Sequence, residues 1–349
     1  MKTLEALVES VRRRYAPEPR TAIFEVRIET RDGTLAVTGM TTEPGALDEL
    51  LRQVRPLAAG RPVIDEAVRL PHPSLGDRTG AVVRAGTAPV HAAPDVRATQ
   101  VSQYVLGARL ELLLAAGRWL RVRGEDGYLA WVNRGYLEMG TPDWAARWET
   151  AAGTIPAVSL GAELVDERGA PVLHLPWGAR LGRAPDGACV LPDGRAARLA
   201  TGELVSAADI PRRFPPDGDA IAASARAWIG APYLWGGVTM AGVDCSGFVQ
   251  SLFRLHGVRL RRDAELQRAH GLPVDPGPDF AGLRPGDLLF FTEVPGRVTH
   301  VALSVGGTRI IHSALSNGGV AENDLAGGGE LQPALRRMFL EARRPLADV

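Results

Sequence analysis

The stretch DCSGFVQSLFRLHG, residues 244–257, decides how the last third of the chain is interpreted. Its apolar residues recur at helical spacing and it ends at Gly257, so it predicts an amphipathic helix with a glycine after its last turn. Asp244 is suited to cap the N terminus, which places Cys245 in the first turn. There the helix dipole stabilises an anion, and we expect it to lower the pKa of the thiol toward the nucleophilic thiolate.

Two histidines follow this helix on a predicted β-hairpin. His300 and His312 have the same parity, so a loop with an odd number of residues would place both side chains on one face, whereas a two-residue loop would separate them. One imidazole would then be the base for Cys245, and the other would fix its tautomer. The residues alone leave open a buried cysteine of no function, two unrelated histidines, or a zinc site. The strand pattern covers 286–291, 298–305 and 309–315.

Working outward, changes in pattern divide the chain into four units. Residues 1–75 predict a small α/β domain, and residues 78–142 and 152–210 show short strands separated by Gly and Asp turns, which favour two small β-barrels. A charged Pro-rich linker leads to an α+β domain over 217–349. In the first unit, the periodicity predicts helices over 3–14 and 46–58 and strands over 22–30 and 34–42.

Composition excludes several classes of protein. The 349 residues hold 40 Lys plus Arg and 40 Asp plus Glu, and this balance argues against a nucleic-acid-binding protein. The sequence contains no run of about 18 apolar residues, the length that a membrane-spanning helix needs. Its N-terminal stretch also lacks the pattern of a signal peptide. We therefore expect a cytoplasmic protein unless a leader has been removed. Cys189 and Cys245 alone cannot form a disulfide framework or a four-ligand zinc site, and no metal or cofactor is expected. The sequence makes no prediction of oligomeric state.

Residues 220–349 resemble the NlpC/P60 family of papain-like cysteine peptidases. The resemblance implies Cys245 as nucleophile, His300 as general base and His312 as its orienting partner. It also implies that Tyr233 reaches the cysteine and helps to polarise the oxyanion beside the Cys245 backbone N–H. The motifs that carry it, in the family's order and spacing, are APYLWGG (231–237), DCSGF (244–248), Arg262-Asp263, PGDL (285–288), HVA (300–302) and Ile311-His312.

The domain order is similar to that of a cytoplasmic murein-recycling subgroup, the γ-D-glutamyl-L-diamino acid endopeptidases of the dipeptidyl-peptidase VI type. The implied fold is a small α/β domain, two SH3-like β-barrels and a papain-like α+β peptidase domain. The implied reaction is hydrolysis of the γ-D-Glu–diamino acid bond in short muropeptides with a free N-terminal L-Ala, beneath a roof formed by the first barrel. The substrate-binding residues implied by the resemblance are Tyr128, Asp244, Ser246, Asp263 and, if it lines the cleft rather than packing, Trp235.

Several alternatives stay open at this stage. A barrel carboxylate is expected to meet the substrate amine, and Asp95, Glu111 and Asp126 all qualify. The third peptide residue can be diaminopimelate or Lys. The same core would also serve a peptidoglycan amidase or acyltransferase, and a protein with a degenerate peptidase domain would only bind the cell wall. The complete Cys245, His300 and His312 set favours an enzyme.

Overall fold

The structure, a computed structural model, describes residues 4–348. Within this range the strands form sheets of four, seven, five, two and six strands, in chain order. No helix of these residues is long and apolar enough to cross a membrane. The sheets follow one another along the sequence, so each is built mainly from neighbouring segments of the chain.

The first unit packs two amphipathic helices against a four-stranded sheet. The hairpin turns at Asp32 and Gly33, whose positive φ angles of 47° and 78° suit the twist of a two-residue connection. The second helix was predicted to reach residue 58 but ends at Val54, because Pro56 has no N–H to continue the helical hydrogen bonds. The elements are α1 (Leu4–Tyr15), β1 (Phe24–Arg31), β2 (Thr34–Thr41), α2 (Pro44–Val54), β3 (Val63–Asp65) and β4 (Val68–Arg69).

The second unit is a seven-stranded sheet around its own apolar core. Its order is β11-β5-β8-β9-β10-β6-β7, with antiparallel neighbours throughout. Alternate residues point inward, so Leu110, Leu112, Leu120 and Val122 are all buried. The strands are β5 (Gly80–Val83), β6 (Thr87–His91), β7 (Gln100–Val105), β8 (Arg109–Ala116), β9 (Trp119–Gly124), β10 (Leu129–Asn133) and β11 (Leu137–Gly140).

The third unit is a small closed barrel that shares its core with the second. The long strand β12 pairs with β13, β14 and β16, and these pairings close β12, β14, β15 and β16 into a ring. Leu181 and Cys189 of this unit pack in one cluster with Val82 and Leu106 of the second, so the two units are firmly docked. The elements are α3 (Pro142–Arg147), β12 (Ile155–Val165), β13 (Pro171–Leu175), β14 (Arg180–Arg183), β15 (Cys189–Val190), β16 (Ala196–Ser206) and α4 (Ile210–Arg213).

The last unit lays helices against a six-stranded antiparallel sheet of order β19-β24-β20-β21-β22-β23. The three strands predicted from the sequence are confirmed as β20, β21 and β22, whereas β19, β23, β24 and α8 were not predicted. The elements are α5 (Gly218–Arg226), β17 (Val238–Thr239), β18 (Gly242–Val243), α6 (Cys245–Leu255), α7 (Ala264–Gln267), β19 (Leu272–Val274), β20 (Leu288–Phe291), β21 (His300–Gly306), β22 (Arg309–Ala314), β23 (Gly319–Asp324), α8 (Leu331–Met338) and β24 (Phe339–Arg344).

Helix α6 is the centre of this unit, as its sequence pattern predicts. Phe248 and Leu252 pack against Val301 and Leu303 of the sheet, and burying each of the two helix side chains contributes about 1.5–3 kcal/mol. Beyond the last turn, Gly257 adopts the left-handed conformation with a φ of 78°. The helix is therefore fixed along most of its length, and its N-terminal tip is held against the sheet.

Candidate active site

The tip of α6 is built by close backbone packing and one carboxylate. Asp244 caps the helix, because its Oδ1 accepts the N–H of Gly247 at 2.7 Å. A Cβ atom at Gly247 would lie 2.1 Å from the carbonyl oxygen of Gly237, so only glycine fits where these segments cross. This packing fixes the first helical turn, and Cys245 is its first residue.

Cys245 is a partly buried, neutral thiol rather than a preformed thiolate. Burial and the neighbouring Asp244 carboxylate raise the pKa of Cys245 to about 12. Hydrogen bonds from the backbone N–H groups of Val301 and Ser246 act in the opposite direction but are outweighed. The helix tip thus acts in the expected direction, but burial outweighs it, so the net shift of the pKa in the ligand-free protein is upward rather than toward the thiolate. The Val301 contact also places the sulfur against β21, beside His300 in the chain.

The two histidines lie on one face of the sheet, although the loop between their strands has two residues. Gly306 pairs with Arg309, so only residues 307 and 308 form the loop, and this loop alone would place the side chains on opposite faces. A β-bulge between Ser304 and Gly306 inserts one extra residue and restores the parity. His300 Nε2 consequently lies 2.7 Å from His312 Nδ1.

A chain of hydrogen bonds continues beyond the histidine pair. His312 Nε2 lies 2.9 Å from Asn323 Oδ1, which also accepts from Asn317 Nδ2 at 2.9 Å. An amide oxygen only accepts, so the network assigns a proton to His312 Nε2 and a second to His300 Nε2. The contact of 3.3 Å between Asn317 Nδ2 and His312 Nε2 then joins two donors and is not a hydrogen bond. The lone pair of His300 is left on Nδ1.

Both imidazoles are neutral at physiological pH. Burial, followed by the neighbouring His312, lowers the pKa of His300 to about 3. Burial also lowers the pKa of His312 to about 4, despite the hydrogen bond to Asn323. The ligand-free protein therefore holds a neutral thiol at the tip of α6 and neutral imidazoles on β21 and β22.

Three side chains beside Cys245, those of Asp244, Ser246 and Arg262, are joined by hydrogen bonds, and we call these three residues together with Cys245 the nucleophile cluster. Arg262 is 1% exposed and binds Asp244 Oδ2 at 2.7 Å, Asp244 Oδ1 at 3.1 Å and Ser246 Oγ at 2.9 Å. Its Nε donates to Ser102 of the second unit at 2.8 Å. Since Asp244 Oδ2 also accepts the Gly236 N–H, both carboxylate oxygens are engaged inside the protein. Contact of Asp244 and Ser246 with substrate stays a prediction.

The two aromatic residues of the 231–237 motif lie in different surroundings. Tyr233 is half-buried, and burial followed by Cys245 and Asp244 raises its pKa to about 12, so its hydroxyl is a proton donor near the sulfur. Trp235 is 64% exposed, and its carbonyl oxygen accepts from Gln100 of the second unit at 2.9 Å. The Trp235 ring is therefore not part of a core, and its contact with substrate stays a prediction.

The remaining predicted residues meet where the second unit covers the last one. The Tyr128 hydroxyl donates to Asp263 Oδ2 at 3.2 Å, and the same oxygen accepts from Arg20 of the first unit at 2.8 Å. Burial and the Asp263 charge raise the pKa of Tyr128 well above its ordinary value, so the hydroxyl stays protonated. Arg262 and Asp263 are adjacent in sequence, which links this contact to the nucleophile cluster.

The three barrel carboxylates considered for the substrate amine differ in their surroundings. Asp95 lies in an exposed loop, where it accepts the Arg97 N–H. Glu111 is paired with Arg123 at 2.9 Å. Asp126 is held by Gln250 at 3.0 Å and by the Tyr128 N–H at 3.0 Å. Each is thus occupied by a protein donor.

Sequence reasoning missed several residues of the site. Arg262 was quoted only as part of a motif, Asn317 and Asn323 were not considered, and Arg20 lies in a unit without any cluster of catalytic residue types. Asn323 reaches His312 because β23 pairs with β22 in a register that puts residues 321 and 323 on the face of His312, and the sequence did not predict β23. No local pattern points to Arg20.

Two further features bear on what the site can hold. Within residues 4–348, no group of three His, Cys, Asp or Glu side chains is placed to bind a metal ion. A cavity of about 320 Å³ lies elsewhere, between the second, third and last units, and its lining includes Tyr104, Trp177, Trp228 and Arg254. The nucleophile is not among its lining residues.

A cysteine at the tip of a helix, packed on an antiparallel sheet that carries a histidine pair, is an arrangement suited to a cysteine nucleophile with a histidine base. Residues 230–336 match the model of the NlpC/P60 family, and residues 86–138 match that of the bacterial SH3 domain. The chain therefore carries an NlpC/P60 domain and a bacterial SH3 domain.

Similar proteins agree with these domains. A gamma-D-glutamyl-L-lysine dipeptidyl-peptidase of Bacillus subtilis is 42% identical over 90 residues, 25% of this chain and 28% of the relative. One of Bacillus cereus is 27% identical over 229 residues, 61% of this chain and 66% of the relative. The chain thus spans less than two thirds of the length of both. The crystal structure of an NlpC/P60 family protein from Bacillus cereus has the same fold, with a TM-score of 0.64 at 22% identity over 76% of this chain and 99% of that one.

Proposed function

We propose that the protein is a cysteine peptidase that hydrolyses the γ-D-Glu–diamino acid bond of short cell-wall peptides with a free N-terminal L-Ala. The observation that carries the proposal is the helix-tip thiol of Cys245, which contacts the β21 backbone beside the His300–His312 pair. The activity in the names of the two Bacillus relatives supports the choice of substrate. We place the activity in the cytoplasm, by resemblance to the recycling subgroup.

The proposed reaction uses the neutral resting state of the site. His300 Nδ1 takes the Cys245 proton as sulfur attacks the carbonyl carbon of the γ-linked glutamate, and the oxyanion is stabilised by the Cys245 N–H and the Tyr233 hydroxyl. The imidazolium then gives its proton to the amino group of the departing diamino acid, leaving a thioester. Water, deprotonated by His300, cleaves the thioester and frees the thiol. His312 and Asn323 hold the His300 tautomer throughout.

We further propose four domains, over residues 1–75, 78–142, 152–210 and 217–349. Both barrels are proposed to be SH3-like, and the first barrel is proposed to cover the active-site cleft. Tyr128 of that barrel supports the roof, because its hydroxyl reaches Asp263 beside the nucleophile cluster. A roof of this kind selects short peptides, since a buried site built for an ammonium group rejects a strand whose amine is blocked.

A direct test compares the unaltered protein with Cys245→Ala on L-Ala-γ-D-Glu-diaminopimelate. We expect release of L-Ala-D-Glu by the unaltered protein and none above background by the variant, with Cys189→Ala as the control that retains activity. Turnover by Cys245→Ala would sink the assignment. Equal cleavage of an N-acetylated peptide would point instead to an amidase on the same core.

A further inference from the structure

We propose that Glu18 and Arg20 of the first unit are specificity-determining residues of the active-site cleft, because they hold the Asp263 carboxylate where it receives the ammonium group of the peptide. The inference rests on the proposed function. It gives the first unit a role, for which the sequence offers none. We call Glu18, Arg20, Tyr128 and Asp263 the roof cluster.

Donors from two units converge on one oxygen of Asp263. Arg20 Nη1 lies 2.8 Å from Asp263 Oδ2, and the Tyr128 hydroxyl lies 3.2 Å from the same atom. The two donors are also tied to each other, since the carbonyl oxygen of Arg20 accepts the N–H of Leu129, the residue after Tyr128, at 2.8 Å. These contacts fix the position of Arg20 relative to Tyr128, and so the position of the first unit relative to the second.

These donors hold Asp263 away from its ordinary local partner. Asp263 is the N-cap residue of α7, a position where an aspartate side chain normally accepts a backbone N–H of the first turn. Its side chain makes no such bond here, although its backbone carbonyl accepts from Leu266 and Gln267. Without Arg20, the carboxylate is free to turn back to the helix end, away from the cleft.

Arg20 positions Asp263 without neutralising it. Glu18 binds Nε and Nη2 of Arg20, both at 2.6 Å, and accepts the Arg20 backbone N–H at 2.9 Å, so only Nη1 reaches Asp263. Glu18 and Arg20 form a neutral pair that donates one hydrogen bond. The roof cluster therefore keeps a net charge of −1, which one ammonium group of a ligand would neutralise.

The roof cluster is accessible to a ligand. The side chains of Arg20, Glu18 and Asp263 are 33%, 27% and 26% exposed, in contrast to the buried Arg262. Among residues 4–348, no hydrogen bond reaches Asp263 Oδ1, so this oxygen is free to accept from the ligand. A peptide whose amine is acylated carries no positive charge there, so it gains no binding energy from the Asp263 carboxylate.

The experiment measures selectivity, defined as kcat/KM for L-Ala-γ-D-Glu-diaminopimelate divided by kcat/KM for its N-acetyl form. We expect Arg20→Ala to lower selectivity about tenfold through a higher KM for the free-amine peptide, with kcat nearly unchanged. Glu18→Gln should lower it as well, because the Arg20 charge then neutralises Asp263. Arg20→Lys keeps one donor and should restore part of the loss.

The matched control is Arg121→Ala, which removes an ion pair of 2.7 Å with Glu25 between the same two units. We expect its selectivity to equal that of the unaltered protein. Unchanged or increased selectivity in Arg20→Ala, or an equal loss in Arg121→Ala, would overturn the inference while leaving the peptidase activity in place. If the unaltered protein cleaves neither peptide, the proposed function fails and the inference falls with it.

Discussion

The nucleophile cluster and the roof cluster both centre on an aspartate and an arginine, but they are assembled in opposite ways. Arg262 and Asp244 are 18 residues apart and almost entirely buried, whereas Arg20 and Asp263 are 243 residues apart and partly exposed. The proposed reacting groups and their supports thus come largely from one unit, whereas the proposed selection of substrate depends on contacts between three. We therefore expect changes in the first region to affect kcat and stability, and changes in the second to affect KM.

The largest effect should follow loss of the base. His300→Gln removes the Nδ1 lone pair that is proposed to take the Cys245 proton, and we expect kcat to fall by about 10²–10⁴-fold with little change in KM. Steady-state kinetics on the free-amine peptide measure this. His174→Gln, at an exposed histidine paired with Glu163, should behave as the unaltered protein. A kcat within a few-fold of normal for His300→Gln would remove His300 from the mechanism.

Next in size is the loss of the buried ion pair. Arg262→Met leaves the Asp244 carboxylate buried without its counter-charge, and we expect a loss of about 3–5 kcal/mol in the free energy of unfolding. Arg268→Met breaks a partly exposed pair with Glu341 and should cost less than about 1 kcal/mol. Denaturant titrations followed by tryptophan fluorescence compare the two. Equal losses would contradict the contrast drawn between buried and exposed pairs.

A smaller effect is expected at the end of the histidine relay. Asn323→Ala removes one hydrogen bond to His312 and should lower kcat roughly fivefold, as about 1 kcal/mol of support is lost. Asn323→Asp restores the acceptor and adds a negative charge, which raises the pKa of the imidazoles. Since His300 must be unprotonated to act as base, the acid limb of kcat/KM should then move to higher pH. An unshifted limb would show that Asn323 does not act through the histidines.

The mildest effect concerns the pH dependence of the unaltered protein. With the pKa of His300 at about 3 and that of Cys245 at about 12, neither group titrates near neutrality. The peptide amine does, with a pKa of about 8, so kcat/KM for the free-amine peptide should fall above that pH as the ammonium is lost. The N-acetyl peptide should show no such decline. If kcat/KM fell above this pH for both peptides, the titrating group would belong to the enzyme rather than to the peptide amine.

The sequence predicted the features that depend on residues close together along the chain. Helix α6, its Asp244 cap and the strands carrying His300 and His312 all follow from periodicity and end signals. The pKa of Cys245 did not follow, because burial is a property of the packed molecule and outweighs the helix tip. The Arg20 contact could not be found either, since nothing in residues 16–22 indicates a partner far along the chain.

The β-bulge between Ser304 and Gly306 has a consequence for how this hairpin can vary in length. A strand alternates its faces residue by residue, so inserting or deleting a single residue between His300 and His312 would send one imidazole through to the opposite side. The bulge acts as a one-residue correction to an otherwise unsuitable turn. Changes of two residues preserve the pair, and a change of one is tolerated only if a second irregularity offsets it.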